Sequence, residues 1–180
     1  MIGEITNEAA RETGLLAGTP VICGGGDGSC AGVGVGCVAP GTAYNYLGSS
    51  SWVALTVEKP IVDEQRRTMN WAHVVPGMLH PSGTMQAAGS SYNWMINQLC
   101  QNEQALAAQS GRSVFELIDE QIIASPIGAN KLLFLPYMLG ERTPRWNVDA
   151  KGAFIGLTLG HKHGDMSVSY THLRAHETCA

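Results

Sequence analysis

The order of apolar and polar positions predicts a chain in which short helices and short strands alternate. Thr6-Asn-Glu-Ala-Ala-Arg-Glu-Thr-Gly14 places a hydroxyl before an acid-bearing turn and ends on glycine, the pattern of a short capped helix. After Gly18-Thr-Pro20 the run Pro20-Val-Ile-Cys23 reads as a buried strand. Gly24-Gly-Gly-Asp27 ends that strand. The small residues 28–38 predict a helix able to pack closely, with Asp27 placed to cap it and Pro40-Gly41 to close it. Residues 43–47 and 52–56 are β-prone and flank Gly48-Ser-Ser-Ser51, the spacing of a hairpin with a polar turn. Further strands are predicted around 69–75 and 79–86.

A helix over 90–100 puts Trp94 and Gln98 on one face and Tyr92, Met95 and Leu99 on another. A polar Ala/Gln-rich segment leads to a second helix over 114–124, with Leu117, Ile118 and Gln121 at helical spacing. Strands over 131–136 and 153–157 precede a helix starting near His161. Helices and strands alternate without internal repeats, which predicts an α/β fold.

Composition narrows the class. The 180 residues suffice for one domain with a core or for parts of two. With 44% hydrophobic and 14% charged residues the chain is globular rather than disordered. Twenty-two glycines, many between Gly24 and Gly48, require backbone to come close to something there. A net charge of −4 with no Lys/Arg run argues against a nucleic-acid partner. No apolar stretch approaches the roughly 20 residues of a membrane span, and no signal peptide is visible at Met1-Ile2-Gly3-Glu4. Five cysteines, at 23, 30, 37, 100 and 179, form no C-x-x-C pair and read as buried small apolar side chains in a reducing cytoplasm.

The segment Val168-Ser-Tyr-Thr-His-Leu-Arg-Ala-His-Glu-Thr178 resembles one reading frame of a transposase adapter used in preparing DNA sequencing libraries. On that resemblance residues 167–180 are read as a fusion scar outside the fold, expected to be mobile or only locally helical and unburied. His172 and His176, at i, i+4 spacing, are then no metal pair. The abrupt opening over residues 2–16 extends the expectation to both ends: the chain is read as a piece of a longer protein.

The glycine cluster fails both familiar nucleotide fingerprints. Gly32-Val-Gly-Val-Gly36 has the wrong spacing for G-x-G-x-x-G, and no Gly-Lys-Ser/Thr follows a glycine. What remains is a carboxylate, Asp27, at a glycine-rich strand end, and a separate Gly-Ser-Ser turn. Phosphoryl transfer needs a base for the attacking hydroxyl and donors for phosphate oxygens. Asp27 suits the first role and Gly48, Ser49 and Ser50 the second; a mere helix cap and a mere hairpin turn explain them as well.

Four motifs in order carry a family resemblance: Cys23-Gly-Gly-Gly-Asp-Gly-Ser-Cys-Ala-Gly-Val-Gly-Val-Gly36, Leu47-Gly-Ser-Ser50, Gly140-Glu-Arg-Thr-Pro144 and Gly152-Ala-Phe-Ile-Gly-Leu-Thr158. Together they resemble the FGGY carbohydrate kinases, and Gly-Glu-Arg-Thr-Pro resembles the xylulokinase branch. The resemblance implies a two-lobed α/β fold of the actin-like, sugar-kinase ATPase (ribonuclease H-like) type, present here only in part. Residues 1–38 would end the N-terminal lobe and residues 39–166 form an incomplete C-terminal lobe.

It further implies that Asp27 contacts the sugar and is the general base, and that Gly48 and Ser49 hold ATP phosphates. Ser49 stands where the family more often shows threonine. Gly89 and Asn93, in Gly-Ser-Ser-Tyr-Asn, match a nucleotide-contacting helix start, where a helix N-terminus facing phosphate also makes physical sense. ATP and Mg²⁺ are the implied cofactors, with no protein metal ligand assigned. The implied reaction is ATP-dependent phosphorylation of a ketopentose, D-xylulose first. Another FGGY kinase (fuculose, ribulose, gluconate or a related polyol) and a non-catalytic ATP-binding module of the actin or chaperone type are the alternatives. A homodimer of the intact enzyme stays open, and the chain alone is expected to be inactive. Glu141 and Arg142 are read equally as substrate-orienting or as a structural ion pair. His73, His80, His161 and His163, lacking partner ligands at useful spacing, are given surface or structural roles, and Trp71, Trp94 and Trp146 core or rim roles.

Overall fold

Helix α1, Asn7–Thr13, forms where its cap pattern places it. The Ala9 amide donates to the Thr6 hydroxyl at 3.1 Å, and Gly14 takes the left-handed φ of 75° that ends the helix. In this computed structural model, which describes residues 1–176 and side chains as far as Tyr170, β1 (Gly3–Glu4) pairs antiparallel with β2 (Pro20–Val21). The expected buried strand is therefore short. Ile22 beyond it is 74% exposed, because no second strand or helix covers it among the described residues.

Helix α2, Asp27–Gly34, has Gly26 at its cap position and no side-chain cap bond. The capping role weighed for Asp27 is thereby corrected: Asp27 is the first helical residue, and its Oδ1 accepts only the adjacent Gly28 amide at 2.8 Å.

Four strands follow, β3 (Ala43–Leu47), β4 (Ser51–Leu55), β5 (Met69–Ala72) and β6 (Leu79–Met85), in an antiparallel sheet of order β3-β4-β6-β5. Directly opposed residues share a face. Tyr46, Trp52 and Thr84 thus form one row, Tyr44, Ala54, Ser82 and Met69 a second, and His80 with Trp71 a third. Helix α2 rests on this face. Ser29 Oγ donates to the Ala72 carbonyl at 2.7 Å, and a Cβ at Gly32 would lie 3.2 Å from the Tyr44 ring.

The second half is helical: α3 (Gly89–Leu99), α4 (Gln101–Ser110), α5 (Val114–Ile123) and α6 (His163–His176), with the short hairpin β7 (Leu133–Leu135) and β8 (Ala153–Ile155) between. Helix α4 escapes a periodicity reading because it buries no residue. Ala/Gln propensity and Gly111 at its C-cap (φ 70°) define it instead. The core joins Met95, Ile96 and Cys100 of α3 to Ile118 of α5, Phe134 of β7 and Tyr170 of α6. A smaller cluster holds Ala129, Leu132 and Val168.

Two expectations change here. Cys37 and Cys100 are buried, and burial pushes the Cys100 thiol up to about 11, but Cys23 and Cys30 are exposed. Cys179 lies outside the described residues. Residues 167–170 are not the unburied tail expected of them: Ser167, Val168, Ser169 and Tyr170 are all buried. Tyr170 stacks on Phe134 with ring centroids 3.9 Å apart, and Ser167 Oγ donates to Met95 Sδ at 3.7 Å. The Tyr170 hydroxyl, however, is buried without a hydrogen-bond partner among the described residues.

Candidate active site

The N-terminus of α2 and the polar face of the sheet enclose a cleft of about 510 Å³. Asp27 stands on one wall, exposed, with its second carboxylate oxygen making no hydrogen bond among the described residues. His80, Ser82, Thr84 and Gln86 line the facing wall, with Trp52 and Trp71 beside them, and Ser50 and Arg142 complete it.

Three rings beneath α2 hold Asp27 in place. Trp52 Nε1 donates to the Tyr44 oxygen at 3.0 Å, and the Tyr44 hydroxyl donates to the Gly28 carbonyl at 2.5 Å. His80 Nε2 lies 3.3 Å from the same hydroxyl. Burial raises the Tyr44 pKa, against the opposing Trp52 bond, so the proton Tyr44 donates stays on it. Burial, then the neighbouring His73, lowers the His80 pKa and keeps that ring neutral. The first turn of α2, and with it Asp27, is fixed to the sheet by hydrogen bonds rather than by apolar packing.

At the other end of the cleft the β3–β4 turn meets the start of α3. The Gly89 amide donates to the Gly48 carbonyl, and the Ala88 and Ser90 amides to the Ser49 carbonyl, all at 3.0 Å. Gly48 N–H is itself bonded to Ser50 O at 2.8 Å. The first α3 donors are therefore spent on the turn, and the helix N-terminus does not present them to an anion as expected. The Ser49 and Ser50 amides and hydroxyls make no hydrogen bond among the described residues and remain as the donors. Gly89 matters sterically: a Cβ there would sit 2.4 Å from the Gly48 carbonyl oxygen. Asn93, one turn along the same helix face, is exposed. Gly48, Ser49, Gly89 and Asn93 thus come together at one corner, and Ser50 of that corner shares the cleft with Asp27.

Arg142 and Glu141 divide their two readings. Arg142 lines the cleft, whereas Glu141 is 5% exposed and its carboxylate accepts the Arg142 backbone amide at 2.8 Å. The loop bearing them leans on β6, where a Cβ at Gly83 would lie 3.3 Å from the Thr143 methyl. Trp71, Trp94 and Trp146 are 54%, 39% and 48% exposed, so they are rim rather than core. His73 and His161 are structural, bonded to the Cys37 and Asn130 carbonyls. His163 does find partners, Cys100 Sγ at 3.6 Å and Glu103 Oε1 at 3.4 Å, contrary to the expectation that it had none.

Sequence reasoning passed over Tyr44, Trp52, Thr84 and Gln86. A signal was present in Leu79-His-Pro-Ser-Gly-Thr-Met-Gln86, where polar residues alternate strictly from His80 to Gln86 and so share one sheet face.

Comparison with known proteins gives the class: the chain has the fold, in part, of the sugar kinases with an actin-like ATPase architecture. The FGGY family of carbohydrate kinases, C-terminal domain, matches residues 43–172, and this chain belongs to that family. Among curated relatives, a xylulose kinase of Staphylococcus epidermidis is 35% identical over 167 residues, 92% of this chain and 32% of the relative. An autoinducer-2 kinase of Yersinia enterocolitica is 36% identical over 130 residues, 72% of this chain and 24% of the relative. The crystal structure of xylulose kinase from Rhodospirillum rubrum superposes with a TM-score of 0.78 at 31% identity, covering 99% of this chain and 35% of that one. The chain therefore spans about a third of the length of the xylulose kinases it matches. Among the described residues no helix is long and apolar enough to cross a membrane.

Proposed function

We propose that the enzyme carrying this segment transfers a phosphoryl group from ATP to a hydroxyl of a ketopentose, D-xylulose first. The observation that supports this most directly is the shared cleft: a carboxylate with one oxygen unengaged stands across from an unspent Ser-Ser donor corner. In this reading Asp27 contacts the sugar and takes the proton from its attacking hydroxyl as the bond to phosphorus forms. Ser49 and Ser50 hold phosphate oxygens, Gly48 and Gly89 let turn and helix approach closely enough to present them, and Asn93 adds an amide on the nucleotide side. Trp52 and Trp71 offer apolar faces to the substrate, and Arg142 a cation.

Asp27 is the one carboxylate lining the cleft among the described residues, which fits an ion bound chiefly through nucleotide phosphates and water. Mg²⁺, held there by nucleotide phosphates and water, would supply charge neutralisation to the transferred group, while Asp27 keeps its role as proton acceptor.

Asp27→Asn in the full-length enzyme tests the reading. General-base catalysis contributes on the order of 10²–10⁴-fold, so kcat should fall at least about a hundredfold while ATP affinity changes little. An unchanged kcat would refute the base assignment, whereas ATP binding without sugar-stimulated turnover in the full-length protein would favour the non-catalytic ATP-binding module. The 180-residue chain alone is expected to release no ADP on adding sugar, as a coupled assay would read. Because an autoinducer-2 kinase is as similar as the xylulose kinases, a panel of ketoses and related polyols ranked by kcat/KM decides between D-xylulose and another sugar.

A further inference from the structure

The corner between α3 and α4 and the first turn of α6 gather three ligand-type side chains for which phosphoryl transfer has no use. Cys100 ends α3, Glu103 lies in the first turn of α4, and His163 opens α6. Cys100 Sγ and His163 Nε2 are 3.6 Å apart, His163 Nδ1 and Glu103 Oε1 3.4 Å, and one ligand atom from each residue lies within 4.8 Å of the others. Zinc–sulfur bonds of about 2.3 Å and zinc–nitrogen or –oxygen bonds of about 2.1 Å set tetrahedral ligands roughly 3.5 Å apart, so closure needs about an ångström of side-chain movement.

The trio is also enclosed. Cys100 is fully buried, and the Glu103 and His163 side chains are 13% and 28% exposed, unlike a surface cluster of solvated acids. Gln121 Nε2 donates to Glu103 Oε1 at 2.5 Å, the kind of outer hydrogen bond that orients a ligating carboxylate. The Gln121 Oε1 atom is buried without a hydrogen-bond partner among the described residues, leaving an acceptor for a metal-bound water. Gln121 and His163 both line a cavity of about 470 Å³, which supplies an entry path and room for that water. A Cys–His–Glu nucleophilic triad is the wrong reading of the same geometry, because Cys100 is fully buried and does not line the cavity a substrate would enter.

We infer that Cys100, Glu103 and His163 form a site for a zinc-type divalent ion, three protein ligands and one water, with Gln121 holding Glu103 in position. The thiolate–imidazole–carboxylate set suits Zn²⁺ over Mg²⁺ or Ca²⁺, which take oxygen ligands. The ion would tie α3, α4 and α6 at one point. This site is independent of the kinase reading.

Co²⁺ titrated into the metal-free full chain tests it through the thiolate-to-cobalt charge-transfer band and the tetrahedral visible bands. One equivalent should produce both sets. Cys100→Ser should abolish the charge-transfer band, and His163→Gln and Glu103→Gln should each weaken Co²⁺ binding at least about tenfold. A chain carrying Cys23→Ser, Cys30→Ser and Cys179→Ser together should keep the band. Far-ultraviolet circular dichroism of the metal-free variants shows which of them fold. Should Cys100→Ser fail to fold, His163→Gln, at a partly exposed position, carries the test. No band in the wild-type chain at excess Co²⁺, a band persisting in Cys100→Ser, or undiminished affinity in His163→Gln would overturn the assignment.

Discussion

The two halves of the chain are held together by different means. Between Asp27 and Gln86 the buried side chains are mostly polar, including Ser29, Ser51, Thr56, His73, His80 and Ser82, and nearly all bond to backbone or ring atoms. Between Ala87 and Tyr170 the buried side chains are mostly apolar, Met95, Ile96, Ile118, Leu132, Phe134 and Tyr170 among them, with Ser91, Glu141, Asp165, Ser167 and Ser169 buried beside them. The sheet is polar on the face that lines the cleft, and helix α2 rests on that face through hydrogen bonds from Ser29 and Tyr44. Its fixed geometry comes from directional hydrogen bonds, whereas the helical half draws its stability from apolar burial.

The sharpest way to break this contrast is a core truncation. Ile118→Ala, at a fully buried position, should cost about 3–4 kcal/mol in urea denaturation. Thr56→Val, which removes the hydroxyl bonded to the Cys37 carbonyl at 3.0 Å, should cost only about 1 kcal/mol. Equal losses would erase the distinction between the halves.

Next in size is the corner joining them. Gly89→Ala sets a methyl 2.4 Å from the Gly48 carbonyl oxygen, backbone that must shift. About 2 kcal/mol of stability should go with it, of the order seen for overpacked sites. Weaker ATP binding by the full-length variant would tie that corner to the nucleotide.

A smaller effect is pH-dependent and belongs to the helical half. The Ser125 hydroxyl first, then the Lys162 amide and Asn130, with His161 adding charge, hold the Asp165 carboxyl below the ordinary carboxylate range against the opposing effect of burial. A depressed folded pKa contributes stability that is fully present above the unfolded value of about 4 and is lost as pH falls through the folded value. Urea midpoints should therefore drop on acidification more steeply for the wild type than for Asp165→Asn.

The smallest change has the opposite sign. The Tyr170 hydroxyl is buried with no partner among the described residues, so Tyr170→Phe should raise stability by about 1 kcal/mol. A loss on that substitution would mean the hydroxyl is satisfied in solution.

Much of the local structure was legible. The Thr6 cap and Gly14 stop, the β3–β4 hairpin and the Met95 and Ile118 faces follow from short-range sterics and periodicity, which neighbours in sequence suffice to set. Less legible was whatever depends on what lies opposite. Helix α4 carries no buried stripe, residues 20–23 lack a covering partner, and the burial of residues 167–170 depends on the Phe134–Phe154 surface that receives Tyr170.

The same division runs through the candidate site residues. Asp27, Gly48, Ser49, Gly89 and Asn93 were named from motifs and from the family resemblance those motifs carry. Only the tertiary structure showed that Gly89 acts as a steric opening whose amide is already spent on Gly48. It alone set Tyr44, Trp52 and His80 around the first turn of α2, and brought His163 to Cys100 and Glu103. Those contacts join residues far apart along the chain, and no local preference encodes a distance between side chains that meet only when sheet and helices have packed.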